Sequence, residues 1–129
     1  MKKIFIWCLI VSFTISLAGC NVLNMNKKQN DVQDKCENQC EAWSKSYQQK
    51  YPGDTISYDS HYNKKLGKCF ILVKYEKSQL RSLKSLTENK VYGSFLSKKD
   101  SKTVICNVLE TKCKTEDEWD SLVKPYMKE

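Results

Sequence analysis

The chain has 129 residues, with 22 Lys and Arg against 15 Asp and Glu, and its formal net charge is +7. This length accommodates one small domain. The single histidine excludes a zinc site made of several histidines, and the four glycines form no phosphate-binding loop. The positive charge suits an anionic partner, although the lysines are spread along the chain and also serve solubility.

The first segment combines two positive charges with a short apolar run. Lys2 and Lys3 precede an uncharged stretch from Ile4 to Ala18, which is shorter than the roughly 20 residues of a membrane-spanning helix. A charged start, a short apolar centre and small residues at the end are typical of a secretory signal. We therefore expect export from the cytoplasm.

The end of this segment reads Leu17-Ala18-Gly19-Cys20, which resembles the lipobox of bacterial lipoproteins. The resemblance implies cleavage before Cys20, acylation of its thiol by a fatty acid such as palmitate, and membrane anchoring by several acyl chains. It predicts a removed signal peptide over residues 1–19 and a lipid-anchored protein of the cell envelope. In a Gram-negative host, Asn21 favours the outer membrane, with the domain facing the periplasm.

The mature chain is predicted to begin with a tether and to continue as one domain. Residues 20–33 are rich in Asn, Lys and Gln and hold no apolar period, so they are interpreted as the lipidated N-terminus and a polar tether. Residues 34–129 form the single domain. Its first element is a helix from Asp34 to about Tyr51, with one face formed by Cys36, Cys40, Trp43 and Tyr47.

Four or five antiparallel strands follow this helix. Thr55–Tyr62 and Lys68–Tyr75 flank a short loop and predict a hairpin, and the second strand is apolar on both faces, which favours a central place in the sheet. Leu83–Thr87 is predicted as a strand, although leucines spaced three apart also allow a helix there. Lys90–Leu96 and Thr103–Val108 complete the sheet.

The last element is a short amphipathic helix. Thr115 and Glu118 form a capping box, and Trp119, Leu122, Val123 and Tyr126 follow at helical spacing. Pro125 is expected to kink or fray the last turn. The sequence thus predicts an α+β fold, in which a small disulfide-stabilised sheet is flanked by an N-terminal and a C-terminal helix on one face.

Five cysteines follow Cys20, at positions 36, 40, 69, 106 and 113. Export places them in an oxidising compartment, where disulfides persist. Connectivity is not deducible from spacing alone. We expect Cys40 to pair with Cys69, because Cys40 lies deeper in the helix stripe, and Cys106 to pair with Cys113. This leaves Cys36 as the odd thiol.

No catalytic set, metal site or cofactor is predicted, so the leading hypothesis is a non-enzymatic binding module. The segment from His61 to Phe70 resembles a hairpin of small uncharacterised exported bacterial proteins, which implies no particular activity. Its partner would be an envelope protein or an anionic glycan rather than nucleic acid, which an exported domain rarely meets. The candidate binding residues are His61, Tyr62, Lys64, Lys65 and Lys68.

Two alternatives stay open. The first is an inhibitor or immunity lipoprotein directed against a toxin or a wall hydrolase, because such proteins are small, exported and rigid. The second is a thiol-redox or metal-handling protein of the envelope that uses Cys36, Cys40, Cys69 and His61.

Overall fold

The computed structural model describes residues 19–98 and 103–128. The predicted signal segment up to Ala18 lies outside the described residues, and so does the side chain of Cys20. The chain divides into two compact units that meet between Asp31 and Val32. The described part of the first unit, residues 19–31, is helical, and the sheet belongs to the second unit.

Two helices and six strands make up the described chain. The strands form one antiparallel sheet, in which each strand pairs with its neighbours in sequence, so the spatial order is the chain order. The elements are α1 Gly19–Lys50, β1 Ile56–Asn63, β2 Lys68–Tyr75, β3 Leu80–Ser85, β4 Lys90–Ser97, β5 Thr103–Val108, β6 Thr111–Lys112 and α2 Glu116–Met127.

The α+β class is confirmed, but the predicted number of four or five strands is wrong. β2 is an inner strand, although it lies next to the edge strand β1 rather than at the centre of the sheet. The sixth strand, β6, has two residues and pairs with the end of β5. So short a strand has no measurable alternation, and for that reason the sequence pattern missed it. Leu80–Ser85 is a strand, which decides between the strand and the helix that the leucine spacing allowed.

The predicted start of the first helix at Asp34 is also wrong, because α1 begins at Gly19. The segment before Asp34 has no apolar period, and periodicity was the signal used to place the helix. It also has no proline, and its Leu, Met, Lys and Gln residues are good helix formers. The same segment also holds four Asn residues, which are weak helix formers, so neither periodicity nor propensity predicts the helix there.

The two helices lie on opposite faces of the sheet, which corrects the prediction that both lie on one face. Phe70 of β2 belongs to a core cluster with Trp119 and Val123 of α2. The alternate residues Cys69, Ile71 and Val73 form a second cluster with Cys36 and Cys40 of α1. Since neighbouring side chains of a strand point to opposite faces, β2 is covered on both sides. The sheet is therefore the middle of three layers.

A register shift in β4 directs an aromatic ring into the α2 side of the core. Leu83 pairs with Gly93, but the next residue, Lys84, pairs with Val91, so Tyr92 is the extra residue of a bulge. The bulge allows Tyr92 to join Phe70, at a ring-centroid distance of 5.1 Å, in the cluster beneath α2. Gly93 beside it has no side chain and lies against the backbone of β5.

Side chains fix the first two turns of α2. The Thr115 hydroxyl accepts a hydrogen bond from the amide of Glu118, which confirms the predicted N-cap, and the Glu118 carboxylate accepts from the amide of Lys114. Arg81 of β3 donates to Glu116 and Asp120, each at 2.8 Å, and its guanidinium lies 4.6 Å from the Trp119 ring centre. The helix continues through Pro125 to Met127.

We predict that Gly93→Ala destabilises the fold by about 1–3 kcal/mol, because overpacking costs that much in a close-packed core. A Cβ atom at this position would lie 2.7 Å from the Asn107 carbonyl oxygen and 2.9 Å from a methyl carbon of Val108. Urea unfolding measures the effect. Gly53→Ala is the control, since its Cβ would meet only the end of the Lys77 side chain at 3.5 Å. Equal stability of the two variants would contradict the close packing of β4 on β5.

Candidate functional site

The predicted binding residues lie at the end of the β1–β2 hairpin, but they do not share one face. His61 pairs with Phe70 and lies on the α2 side of the sheet, whereas Tyr62 pairs with Cys69 and packs on the α1 side. Both side chains are half-buried. Lys64 and Lys65 are exposed in the loop that follows. The hairpin therefore exposes its loop lysines, while its aromatic residues belong partly to the core.

Asn63 holds the hairpin loop against the end of α2. Its side chain is 1% exposed, and its Nδ2 donates to the carbonyl of Pro125 at 2.8 Å and approaches that of Tyr126 at 3.3 Å. Its Oδ1 accepts from the amide of Leu66 at 2.9 Å. Carbonyls in the last turn of a helix lack partners within the helix, so the amide of Asn63 satisfies this end. One side chain thus orders the loop and the terminal turn of α2.

The loop is also held at its far end. Gly67 has a φ of 64°, in the left-handed region where glycine has no steric penalty. Lys68 forms an ion pair with Glu88 at 2.8 Å and donates to the Tyr92 hydroxyl at 3.0 Å. Tyr92 in turn donates to Glu88 at 2.5 Å. The charge of Lys68 is therefore already engaged within the protein.

The pKa values of this cluster follow from its hydrogen bonds. The bond to Glu88, supported by that to Tyr92, raises the pKa of Lys68, and the bond from Lys68 lowers the pKa of Glu88. The hydrogen bond to Glu88 raises the pKa of Tyr92. These shifts keep Lys68 and Glu88 charged and Tyr92 protonated near neutral pH. The cluster stabilises one arrangement of charges and provides no group that titrates near pH 7.

The disulfide between the first helix and the sheet joins Cys36 to Cys69, so the predicted pairing of Cys40 with Cys69 is wrong. The Cα atoms of Cys36 and Cys69 are 5.3 Å apart, within the normal range for a disulfide. Cys40 is the free cysteine. Depth in the helix stripe did not separate the two candidates, because Cys36 is 1% exposed and Cys40 is 0% exposed.

Position along the sheet explains this correction. Gln33 of α1 accepts a hydrogen bond from the amide of Tyr62, which pairs with Cys69 at the beginning of β2. The ring centroid of Tyr47 lies 5.5 Å from that of Tyr75, at the end of β2. The part of α1 that contains Gln33 and Tyr47 therefore runs in the same direction as β2. Of the two helix cysteines, Cys36 lies nearer to the start of β2, where Cys69 is. The predicted pair Cys106–Cys113 is confirmed.

Cys40 is a buried thiol beside the disulfide. Its Sγ lies 3.9 Å from the Sγ of Cys69 and 3.8 Å from the carbonyl oxygen of Phe70. Burial, with a smaller contribution from the charge of Glu37, raises the pKa of Cys40 to about 11. The sulfur atoms of Cys36, Cys40 and Cys69 all lie within 4.8 Å of one another. His61 is on the other face of the sheet and does not join them.

Three contacts around the hairpin loop were not predicted from the sequence. Asn63 looked like the first residue of a loop, and nothing in its local sequence shows a bond to α2, about sixty residues later. Gln33 was assigned to the tether, yet it bonds the edge of β1. The Lys68–Glu88 pair joins the ends of two successive hairpins. Each of these contacts depends on the way the strands fold back, which local patterns do not report.

The described second unit is thus an α+β domain with three layers and two disulfides. No helix among residues 19–98 and 103–128 is long and apolar enough to cross a membrane. Comparison of the chain with protein-family models, with curated proteins and with solved structures gives no match.

We predict that Asn63→Ala costs about 1–3 kcal/mol of folding free energy, because it leaves the end of α2 and the loop amide without their partner. Urea unfolding, followed by the tryptophan fluorescence of the domain, measures the loss. Lys64→Ala, at the exposed neighbouring position, is the control and should change stability by less than about 0.5 kcal/mol. An Asn63→Ala variant as stable as this control would contradict the anchoring role of the amide.

Proposed function

We propose that this chain is an exported, lipid-anchored protein of the bacterial cell envelope whose folded domain is a non-enzymatic binding module. The anchor is supported by the motif Leu17-Ala18-Gly19-Cys20. Export is supported by the two disulfides of the fold, since such bonds persist in oxidising compartments. In a Gram-negative host we place the domain at the outer membrane, facing the periplasm.

The binding surface that we propose is the loop of the β1–β2 hairpin. The observation that carries this proposal is the anchoring of Asn63, which is buried and bonded to both the loop and α2. A loop fixed in this way loses little conformational entropy when it binds. It exposes Lys64 and Lys65 together with Leu66, which is 44% exposed. Two cationic residues beside an apolar one suit an anionic partner, either an acidic envelope protein or an anionic glycan.

The described charge clusters support a binding role better than a catalytic one. Arg81 is satisfied by Glu116 and Asp120, and Lys68 is satisfied by Glu88 and Tyr92. The raised pKa of Cys40 makes its thiol a poor nucleophile towards external substrates at neutral pH. An inhibitor or immunity protein is one member of this binding class, and identification of a captured toxin or hydrolase would distinguish it.

We predict that Cys20→Ser abolishes anchoring by lipid. The parent protein should sediment with membranes and release into detergent, whereas the variant, which lacks the acylated thiol, should remain in the soluble fraction or retain its signal. Fractionation together with the intact mass of the mature protein measures both results. Equal sedimentation of the two proteins, with masses that differ only by the exchange of sulfur for oxygen, would contradict the lipid anchor.

We predict that the charge reversal Lys64→Glu with Lys65→Glu lowers capture of the partner about tenfold, which corresponds to about 1.4 kcal/mol of binding free energy. The measurement is quantitative pull-down from membranes of the native host. The matched control is Lys50→Glu with Lys77→Glu, which makes the same change of charge on exposed residues at the opposite end of β2. Equal capture by the two double variants would contradict the hairpin loop as the binding surface.

A further inference from the structure

Three cysteines share one buried site, although a disulfide uses only two of them. Cys36 and Cys40 lie one turn apart on α1, and Cys69 faces them from β2. The Cys36–Cys69 disulfide leaves the Cys40 thiol 3.9 Å from the sulfur of Cys69. Thiol–disulfide exchange begins with the approach of a thiolate to a disulfide sulfur, and here the attacking and attacked atoms are already neighbours.

We propose that Cys69 exchanges its disulfide partner between Cys36 and Cys40 within the folded domain. The Cys40 thiol loses its proton, and the thiolate attacks the Sγ of Cys69. A Cys40–Cys69 bond forms as the Cys36–Cys69 bond breaks, and Cys36 leaves as a thiolate that takes up a proton. One disulfide and one thiol are present before and after the step, so neither an oxidant nor a reductant is consumed.

The geometry favours exchange at Cys69 over a bond between the two helix cysteines. A Cys40–Cys69 bond requires the two sulfur atoms to approach by about 2 Å, since a disulfide is about 2.05 Å long. The backbone of Cys69 is fixed by the amide of Leu86 and the hydroxyl of Thr87, each at 2.9 Å. The three sulfur distances place Cys40 beside the Cys36–Cys69 bond rather than in line with it, so the side chains must also rotate before the attack. The movement therefore belongs to side chains and to the adjacent turn of α1. Cys36 and Cys40, four residues apart on a helix, are poorly placed to pair with each other.

The exchange moves the free thiol along the helix without releasing the helix from the sheet. In one isomer the free thiol is Cys40, and in the other it is Cys36, one turn nearer to the N-terminus of α1. In both isomers Cys69 crosslinks the two elements. The site therefore has two alternative crosslinks and one mobile free thiol, and this property does not depend on the proposed binding function.

Burial sets the rate of this exchange. Since the pKa of Cys40 is raised to about 11, its thiolate is scarce at neutral pH, and the exchange should accelerate about tenfold for each pH unit between 7 and 10. The charged group acting on Cys40 is Glu37 of the same helix. The sheet presents Cys69, which is oxidised, and the apolar residues Ile71 and Val73. Further titratable side chains of the cluster are the phenols of Tyr47, Tyr62 and Tyr75, and Lys84 of β3 lies over Trp43.

The first test follows the label on each cysteine in the protein purified from its host. Samples held at pH 7, 8, 9 and 10 are unfolded and blocked with a maleimide at mildly acidic pH, which stops further exchange. Cleavage after Glu37 separates Cys36 from Cys40, and mass spectrometry locates the label. We expect label on both cysteines, with Cys36 labelled sooner at higher pH and the Cys106–Cys113 pair unlabelled throughout. Label confined to Cys40 at every pH would overturn the proposal.

The second test uses matched serine variants. Cys36→Ser should contain a Cys40–Cys69 disulfide, Cys40→Ser should contain Cys36–Cys69, and Cys69→Ser should leave both helix cysteines open to the maleimide. A folded Cys36→Ser protein in which Cys40 and Cys69 are both labelled would overturn the proposal. If that variant does not fold, the label distribution in the parent protein decides.

Discussion

The architecture depends on one constraint, which is that β2 is apolar on both of its faces. Phe70 and Leu72 point to one side of the sheet, and Cys69, Ile71 and Val73 point to the other. The side chains of such a strand are buried only if another element packs on each face of the sheet, and the chain has one amphipathic helix for each face. α2 covers the first face, and the part of α1 that follows Asp31 covers the second. The disulfide from Cys36 to Cys69 and the bonds from Arg81 to α2 then fix each helix where apolar burial has placed it.

Local patterns predicted most of the elements, because each pattern reports burial by one neighbour. β2 and β5 have their predicted bounds, and α2 has its predicted cap. The arrangement of the layers was predicted wrongly, although the apolarity of both faces of β2 indicated it. A sheet with two apolar faces needs a cover on each, so two helices on one face would have left Ile71 and Val73 exposed.

The disulfide pairing was predicted wrongly because a burial pattern does not show where a residue lies along the sheet. The helical spacing of the apolar residues of α1 showed which side chains are buried, but it did not show how far along the sheet each one lies. The missing information is in the connections: α1 is followed by a short turn and β1, and β2 then returns beside β1. The start of β2 must therefore lie near the beginning of the helix face rather than its end. From Cys36 to Tyr47 the helix rises about 16 Å, close to the roughly 20 Å from Cys69 to Tyr75 along β2. The hairpin loop lies between the two predicted strands, but its anchor, Asn63, depends on a contact with α2 that no local pattern reports.

The two outer strands of the sheet have a consequence for chains held side by side. An outer strand with free amides and carbonyls can add the strand of another molecule and so begin aggregation. On β1, the side-chain oxygen of Gln33 accepts a hydrogen bond from the amide of Tyr62, and the side chain of Asn63 donates one to the end of α2. At the other margin β6 offers only two residues. Gln33 thus protects the Tyr62 end of β1, and β6 protects the Asn107–Val108 end of β5. Where copies of this domain are crowded, these two ends resist strand addition, and any stacking begins at the other ends of the two strands.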